Sequence, residues 1–134
     1  MLDTRHKDLP DWKNIHILIA EDDSSSFLVL DAILRPTGAH TSHALNGREA
    51  IDMCKKDMSI DLVLMDIQMP LMDGLSATGE IRKFRKNLPI IAQTAHASDE
   101  DGQNALKAGC NDYICKPINK IELLNTLQKY LSIH

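Results

Sequence analysis

Two rhythms of apolar residues alternate along this chain. One is a short unbroken run. Residues 14–20, 61–66 and 89–94 carry such runs: Ile17-Leu18-Ile19-Ala20, Leu62-Val63-Leu64-Met65 and Pro89-Ile90-Ile91-Ala92. A run without alternation reads as a strand covered on both faces, the usual condition of a parallel sheet. Residues 39–44 make a weaker, polar strand suited to a sheet edge, and residues 112–115 make a fifth. The other rhythm is helical. Phe27, Leu28, Leu30, Ile33 and Leu34 form a stripe that opens after the cap-forming hydroxyls of Ser24, Ser25 and Ser26 and closes before Pro36. Residues 48–56 turn Ala50, Ile51 and Cys54 inward. Residues 75–86 form a third helix, with Leu75, Thr78, Ile81 and Arg82 at helical spacing. A fourth starts from a Ser98 cap and stops at Gly109, and a fifth starts from Asn119 with Ile121, Leu124, Leu127 and Leu131 on one side. Five strands alternating with five helices predict an α/β fold, a mostly parallel sheet with right-handed crossovers and helices on both faces.

In such a sheet every strand ends at the same edge, and open α/β sheets place their ligands there. The first strand delivers Glu21 and Asp22, the third Asp66, the fourth Thr94 and the fifth Lys116. Three carboxylates meeting at one edge repel one another unless a cation intervenes. A hard divalent ion with oxygen ligands answers that need, and Mg²⁺ suits it because it takes one or two carboxylates and shares phosphate oxygens. A lysine and a hydroxyl opposite add positive charge and a hydrogen bond for phosphoryl oxygens. The set reads as phosphoryl transfer onto a carboxylate, with Asp66 as nucleophile.

Composition narrows the field. A net charge of −4 argues against a nucleic-acid surface. No apolar run reaches the ~20 residues of a membrane span, and residues 1–8 lack the apolar core of a signal peptide. Cys54, Cys110 and Cys115 form no CxxC and read as small buried hydrophobes of a reducing cytoplasm. No GxGxxG or GxxxxGK[ST] run is present. Residues 1–13 are polar, carry Pro10, and read as a lead or linker, leaving residues 14–134 as one domain.

Taken together, Ile19-Ala20-Glu21-Asp22-Asp23, Met65-Asp66-Ile67-Gln68-Met69-Pro70, Met72-Asp73-Gly74, Gln93-Thr94-Ala95 and Tyr113-Ile114-Cys115-Lys116-Pro117 resemble the motifs of a response regulator receiver domain over about residues 14–131. The resemblance implies a flavodoxin-like sheet of strand order 2-1-3-4-5. It implies Asp66 as phosphoacceptor for a sensor histidine kinase or a histidine phosphotransfer domain. Mg²⁺ would be held by the side chains of Asp22 and Asp66 and the backbone carbonyl of Gln68, with Glu21 acting through a bound water. Lys116 would pair with the phosphoryl group, the Lys116–Pro117 bond would be cis, and Thr94 and Tyr113 would form the switch. The signal would pass to the face of the fourth helix, fifth strand and fifth helix, where an output domain or a second copy could dock. Such a domain catalyses its own phosphorylation and dephosphorylation without being a turnover enzyme. The style of the motifs resembles receivers of hybrid sensor histidine kinases more than stand-alone regulators.

Two positions depart from the common pattern. Ser26 stands where many relatives carry Asn. Gln68 and His96 each follow a site residue by two and would tune the lifetime of the phosphoryl group. An aspartyl-phosphate phosphatase would use a similar carboxylate and Mg²⁺, but it carries a second Asp where this chain has Gln68. A domain keeping only the fold would lack the acceptor or the lysine, and both are present. Asp23 and Asp73 read as helix-entry residues. The methionines at 65, 69 and 72 read as packing, and His16, His40, His43 and His134 as surface or packed residues.

Overall fold

A computed structural model describes residues 9–95 and 99–131. In chain order the elements are β1 (His16–Ala20), α1 (Ser24–Leu34), a 3₁₀ turn (Arg35–Thr37), β2 (His40–Ala44), α2 (Gly47–Lys56), β3 (Leu62–Asp66), α3 (Gly74–Arg82), β4 (Ile90–Thr94), α4 (Asp99–Ala108), β5 (Asp112–Cys115) and α5 (Lys120–Leu131). The five strands are all parallel, in the order β2-β1-β3-β4-β5. The expected architecture is thus the one observed.

Apolar side chains on the two faces of the sheet build two cores. On one face Leu18, Val63, Met65, Ile90 and Ala92 pack with Ala50, Ile51 and Cys54 of α2, Ala77 and Ile81 of α3, and Ala105 of α4. On the other, Ile17, Ile19, Leu62, Leu64, Ile91 and Ile114 pack with Leu30 and Leu34 of α1 and Leu123, Leu124, Leu127 and Leu131 of α5. Every residue of β1, β3 and β4 is buried, which is why those strands read as continuous apolar runs. β2 lies at the edge and keeps its polar character.

Four local readings need correction. The N-cap of α1 is Asp23, whose carboxylate accepts from the Ser26 amide at 3.2 Å and the Ser26 hydroxyl at 2.8 Å, so the serines are the first turn and not the cap. Leu28 is 61% exposed, outside the buried stripe, while Asp31 is buried and bound to Arg35 and to the Thr41 hydroxyl. The α3 helix stops at Arg82, short of residue 86: the Lys83 and Phe84 amides bond three residues back, at 3.2 and 3.1 Å, and the Arg85 guanidinium just beyond donates to the carbonyls of Cys54, Asp57 and Ile60. Trp12, assigned to the lead, is buried in the α1/α5 core, and its amide donates to the Thr37 carbonyl at 2.8 Å. Asn119 caps α5 as expected, its side chain accepting from the Glu122 amide at 2.9 Å. The proposed Ser98 cap and His96 lie outside the described residues.

His16 and His43 are packed, as expected, but each also holds a polar contact. His16 sits between Ser59 and Ser42 at 3.0 and 2.6 Å, and burial lowers its pKa. His43 stacks on Phe27 and reaches the Glu21 carbonyl at 2.7 Å.

Candidate functional site

β1, β3, β4 and β5 end side by side, and the residues leaving them collect at one edge. Glu21 follows β1 directly and is 1% exposed; Asp66 closes β3 and is 4% exposed. Two such buried carboxylates need a counter-charge. Lys116, just past β5, supplies it: its ammonium donates to Glu21 Oε1 at 3.3 Å and to Asp66 Oδ2 at 3.2 Å. The peptide that follows, Lys116–Pro117, is cis.

The remaining oxygens are held by backbone amides. Asp66 Oδ1 accepts from the Gln68 amide at 3.2 Å, and Glu21 Oε2 accepts from the Asp23 amide at 3.2 Å. Burial pushes the Glu21 carboxyl up to about 7, and its hydrogen bond and charge repulsion with Asp66 act in the same direction. For Lys116, burial favours the neutral form, but the charges of Asp66 and Glu21 outweigh it and raise its pKa overall.

Asp22 is exposed at the mouth of the site, beside an open cavity of about 690 Å³ that Gln68, Met69, Pro70 and Asp73 also line. One oxygen from each of Glu21, Asp22 and Asp66 lies within 4.8 Å of the others. Three hard oxygen donors so close, two of them buried, fit a divalent cation of the Mg²⁺ or Ca²⁺ type and not a soft one.

Thr94 ends β4 almost fully buried, its hydroxyl 3.4 Å from the Cys115 sulfur. Tyr113 is half-buried on β5, and its ring lies over α4 where a Cβ at Gly102 would stand, 2.2 Å from the nearest ring carbon. Ser26 bonds through both its amide and its hydroxyl to the Asp23 carboxylate. The structure therefore gathers Glu21, Asp22, Asp66 and Lys116 at one point, with the Gln68 amide on Asp66 and Thr94 at the end of the adjacent strand. His43, on the polar edge strand, is the contributor that sequence reasoning missed; a histidine without a ligand pattern gives no signal of a contact to the Glu21 backbone.

Residues 17–128 match the family model of the response regulator receiver domain. The chain belongs to this family. The receiver is 38% identical over 117 residues to Two-component system protein A of Emericella nidulans, a match covering 86% of the chain and 17% of that protein. It thus spans under a fifth of that relative's length. Among solved structures it resembles the receiver domain of a sensor histidine kinase of Pseudomonas aeruginosa, which holds a magnesium ion in its active-site cleft. That likeness has a TM-score of 0.82 at 37% identity, covering 89% of this chain and 98% of the other. It also resembles the Saccharomyces cerevisiae Ssk1 receiver crystallised with the histidine phosphotransfer protein Ypd1, at a TM-score of 0.82 and 32% identity, covering 87% and 88% of the two chains. Among the described residues, no helix of the receiver is long and apolar enough to cross a membrane.

Proposed function

We propose that this receiver domain takes a phosphoryl group onto Asp66 from a phosphohistidine of a sensor histidine kinase or a histidine phosphotransfer domain. The carboxylate oxygen forms a bond to phosphorus as the bond from phosphorus to the imidazole nitrogen breaks, and the imidazole leaves with a proton. The observation that carries this reading is the Lys116 ammonium shared by Asp66 and Glu21. It places a positive charge beside the acceptor in a buried place and stands ready for the phosphoryl oxygens. Thr94 would hydrogen-bond one of those oxygens, and Tyr113 would follow it, altering the face of α4, β5 and α5. A partner reading that face, an output domain or a second copy, would receive the signal.

Asp22 and Asp66 would hold Mg²⁺ with their side chains and Gln68 with its backbone carbonyl, with Glu21 acting through a bound water. The ion would neutralise charge developing on the phosphoryl oxygens. The likeness to the Pseudomonas kinase receiver supports both this metal and a parent chain of hybrid histidine kinase type. A stand-alone regulator is the alternative, and the flanking sequence of the full gene product decides between them.

One experiment tests the acceptor. Incubated with Mg²⁺ and phosphoramidate, the protein is expected to gain the mass of one phosphoryl group, and Asp66→Asn to gain none. An equal gain in the Asn variant would remove Asp66 from the chemistry.

A second concerns pH. Glu21 binds its proton more tightly in the folded chain than at its usual 4.5. The stability this lends is whole below that value and is lost as pH rises through about 7. A cation and a proton compete for the same carboxylates, so metal binding strengthens over the same window. Saturating Mg²⁺ is expected to raise the thermal midpoint more at about pH 8 than at about pH 5.5. Calorimetry showing equal rises at both would take Glu21 out of the ion's reach.

A further inference from the structure

One neutral group beside the charged cluster has no partner. Gln93 is fully buried, and among the described residues neither its side-chain oxygen nor its nitrogen meets a hydrogen-bond partner. A buried carboxamide in that condition destabilises the fold, and an apolar residue of the same length would not. Its position is specific. Gln93 is the register partner of Asp66 on β3 and of Ile114 on β5. Register partners in a parallel ladder project to the same face. Ile114 belongs to the α1/α5 core, so Gln93 stands between the acceptor and that core.

On this face lies a cavity of about 470 Å³ lined by Ser26, Val29, Gln93, Lys116, Pro117 and Ile118. The orphan amide and the lysine thus border the same space. Lys116 directs protons to Glu21 and Asp66, and an ammonium has a third. Once Asp66 becomes an acyl phosphate, its carboxylate charge is gone and the ammonium must follow the phosphoryl oxygens.

We propose that Gln93 is a positioning residue for phosphoryl transfer: its carboxamide oxygen, unbonded in the resting structure, takes up the third Lys116 proton as the ammonium turns from the Asp66 carboxylate to the phosphoryl oxygens. The inference rests on the reading of Asp66 as phosphoacceptor. Gln93 itself undergoes no covalent change.

The test uses Gln93→Leu and Gln93→Met. Both are expected to raise the thermal midpoint, because an unsatisfied amide is replaced by an apolar chain of similar volume. With phosphoramidate and saturating Mg²⁺, the maximal rate of phosphoryl gain is expected to fall about tenfold, while the donor concentration at half-maximal rate stays within about twofold. In a Lys116→Ala background, Gln93→Leu is expected to change the rate by less than about twofold, since a residue acting through the lysine has nothing left to act on. An unchanged maximal rate in both variants overturns the proposal. So does a tenfold fall that persists without Lys116, which would be an effect of packing, and so does a lowered midpoint, which would mean the amide is satisfied. A wild-type protein that gains no phosphoryl group fails the receiver reading instead, before Gln93 is reached.

Discussion

Replacing Lys116 with alanine is expected to lower the thermal midpoint by about 6–10 °C near pH 8 and to slow phosphoryl gain by about a hundredfold or more. The first effect follows from what is left behind. Glu21 and Asp66 are almost completely buried, and this ammonium bonds to both. Removing one partner of a buried ion pair costs about 3–5 kcal/mol. The lysine side chain is 30% exposed, so water can take over some of its role, and about 2–3 kcal/mol is the better expectation here. The loss depends on pH in a defined sense. Glu21 already titrates near 7, and without the lysine it would take up its proton at higher pH still. At about pH 5.5 the carboxyl is neutral, the repulsion is relieved, and the variant should come closer to wild type. Mg²⁺ should restore part of the stability at about pH 8, but not the rate, if the ammonium has the role proposed for it at the phosphoryl oxygens. Calorimetry at both pH values, with and without Mg²⁺, checks the first effect. Mass spectrometry over time checks the second.

Gly74→Ala should be nearly as damaging for a different reason. A Cβ at Gly74 would lie 2.2 Å from the Asp66 carbonyl oxygen, 2.9 Å from its carbon, and 2.9 Å from Met65 Cγ. The neighbours that matter are backbone and cannot turn aside. The Gly74 amide donates to the Ile67 carbonyl at 2.9 Å, so the segment is also tied in place. The loss is expected at about 3 kcal/mol or more, near the upper end for overpacking. Because the displaced residue is Asp66, phosphoryl gain should fall by about ten- to a hundredfold in the fraction that stays folded. Gly79 on the same helix is the control, with no atom within 4 Å of a Cβ built there. Gly79→Ala should be neutral or should stabilise by about 0.5–1 kcal/mol through helix propensity. Denaturant melts of the two variants, five residues apart on α3, separate steric conflict from backbone entropy. Equal stabilities would mean that the β3–α3 junction yields freely.

What could be read without coordinates was the part governed by period and position. Buried strands such as Leu62–Asp66 announce themselves because both faces need apolar residues, and a charged residue at the end of such a run is at the ligand edge by geometry alone. Strand order and the meeting of Glu21, Asp22, Asp66 and Lys116 follow from those two facts plus the resemblance to receiver domains. What could not be read was the outcome of tertiary competition. Just past the end of α3, Arg85 bonds to carbonyls some 25–31 residues earlier in the chain, and no local pattern carries that information. Leu28 and Asp31 exchange their expected environments because Arg35 and Thr41 satisfy the aspartate. Gln93 looks like an ordinary polar strand residue until the register sets it beside Asp66.

The chain has one tryptophan, Trp12, packed where the chain approaches β1, at the amino-terminal end of the sheet. The charged cluster occupies the carboxyl-terminal end of the same strands. Indole emission should therefore follow global melting of the α1/α5 layer while staying nearly indifferent to what is bound or transferred at the opposite rim. That gives this protein an internal optical gauge of foldedness, by which slow variants can be told from unfolded ones in a single cuvette.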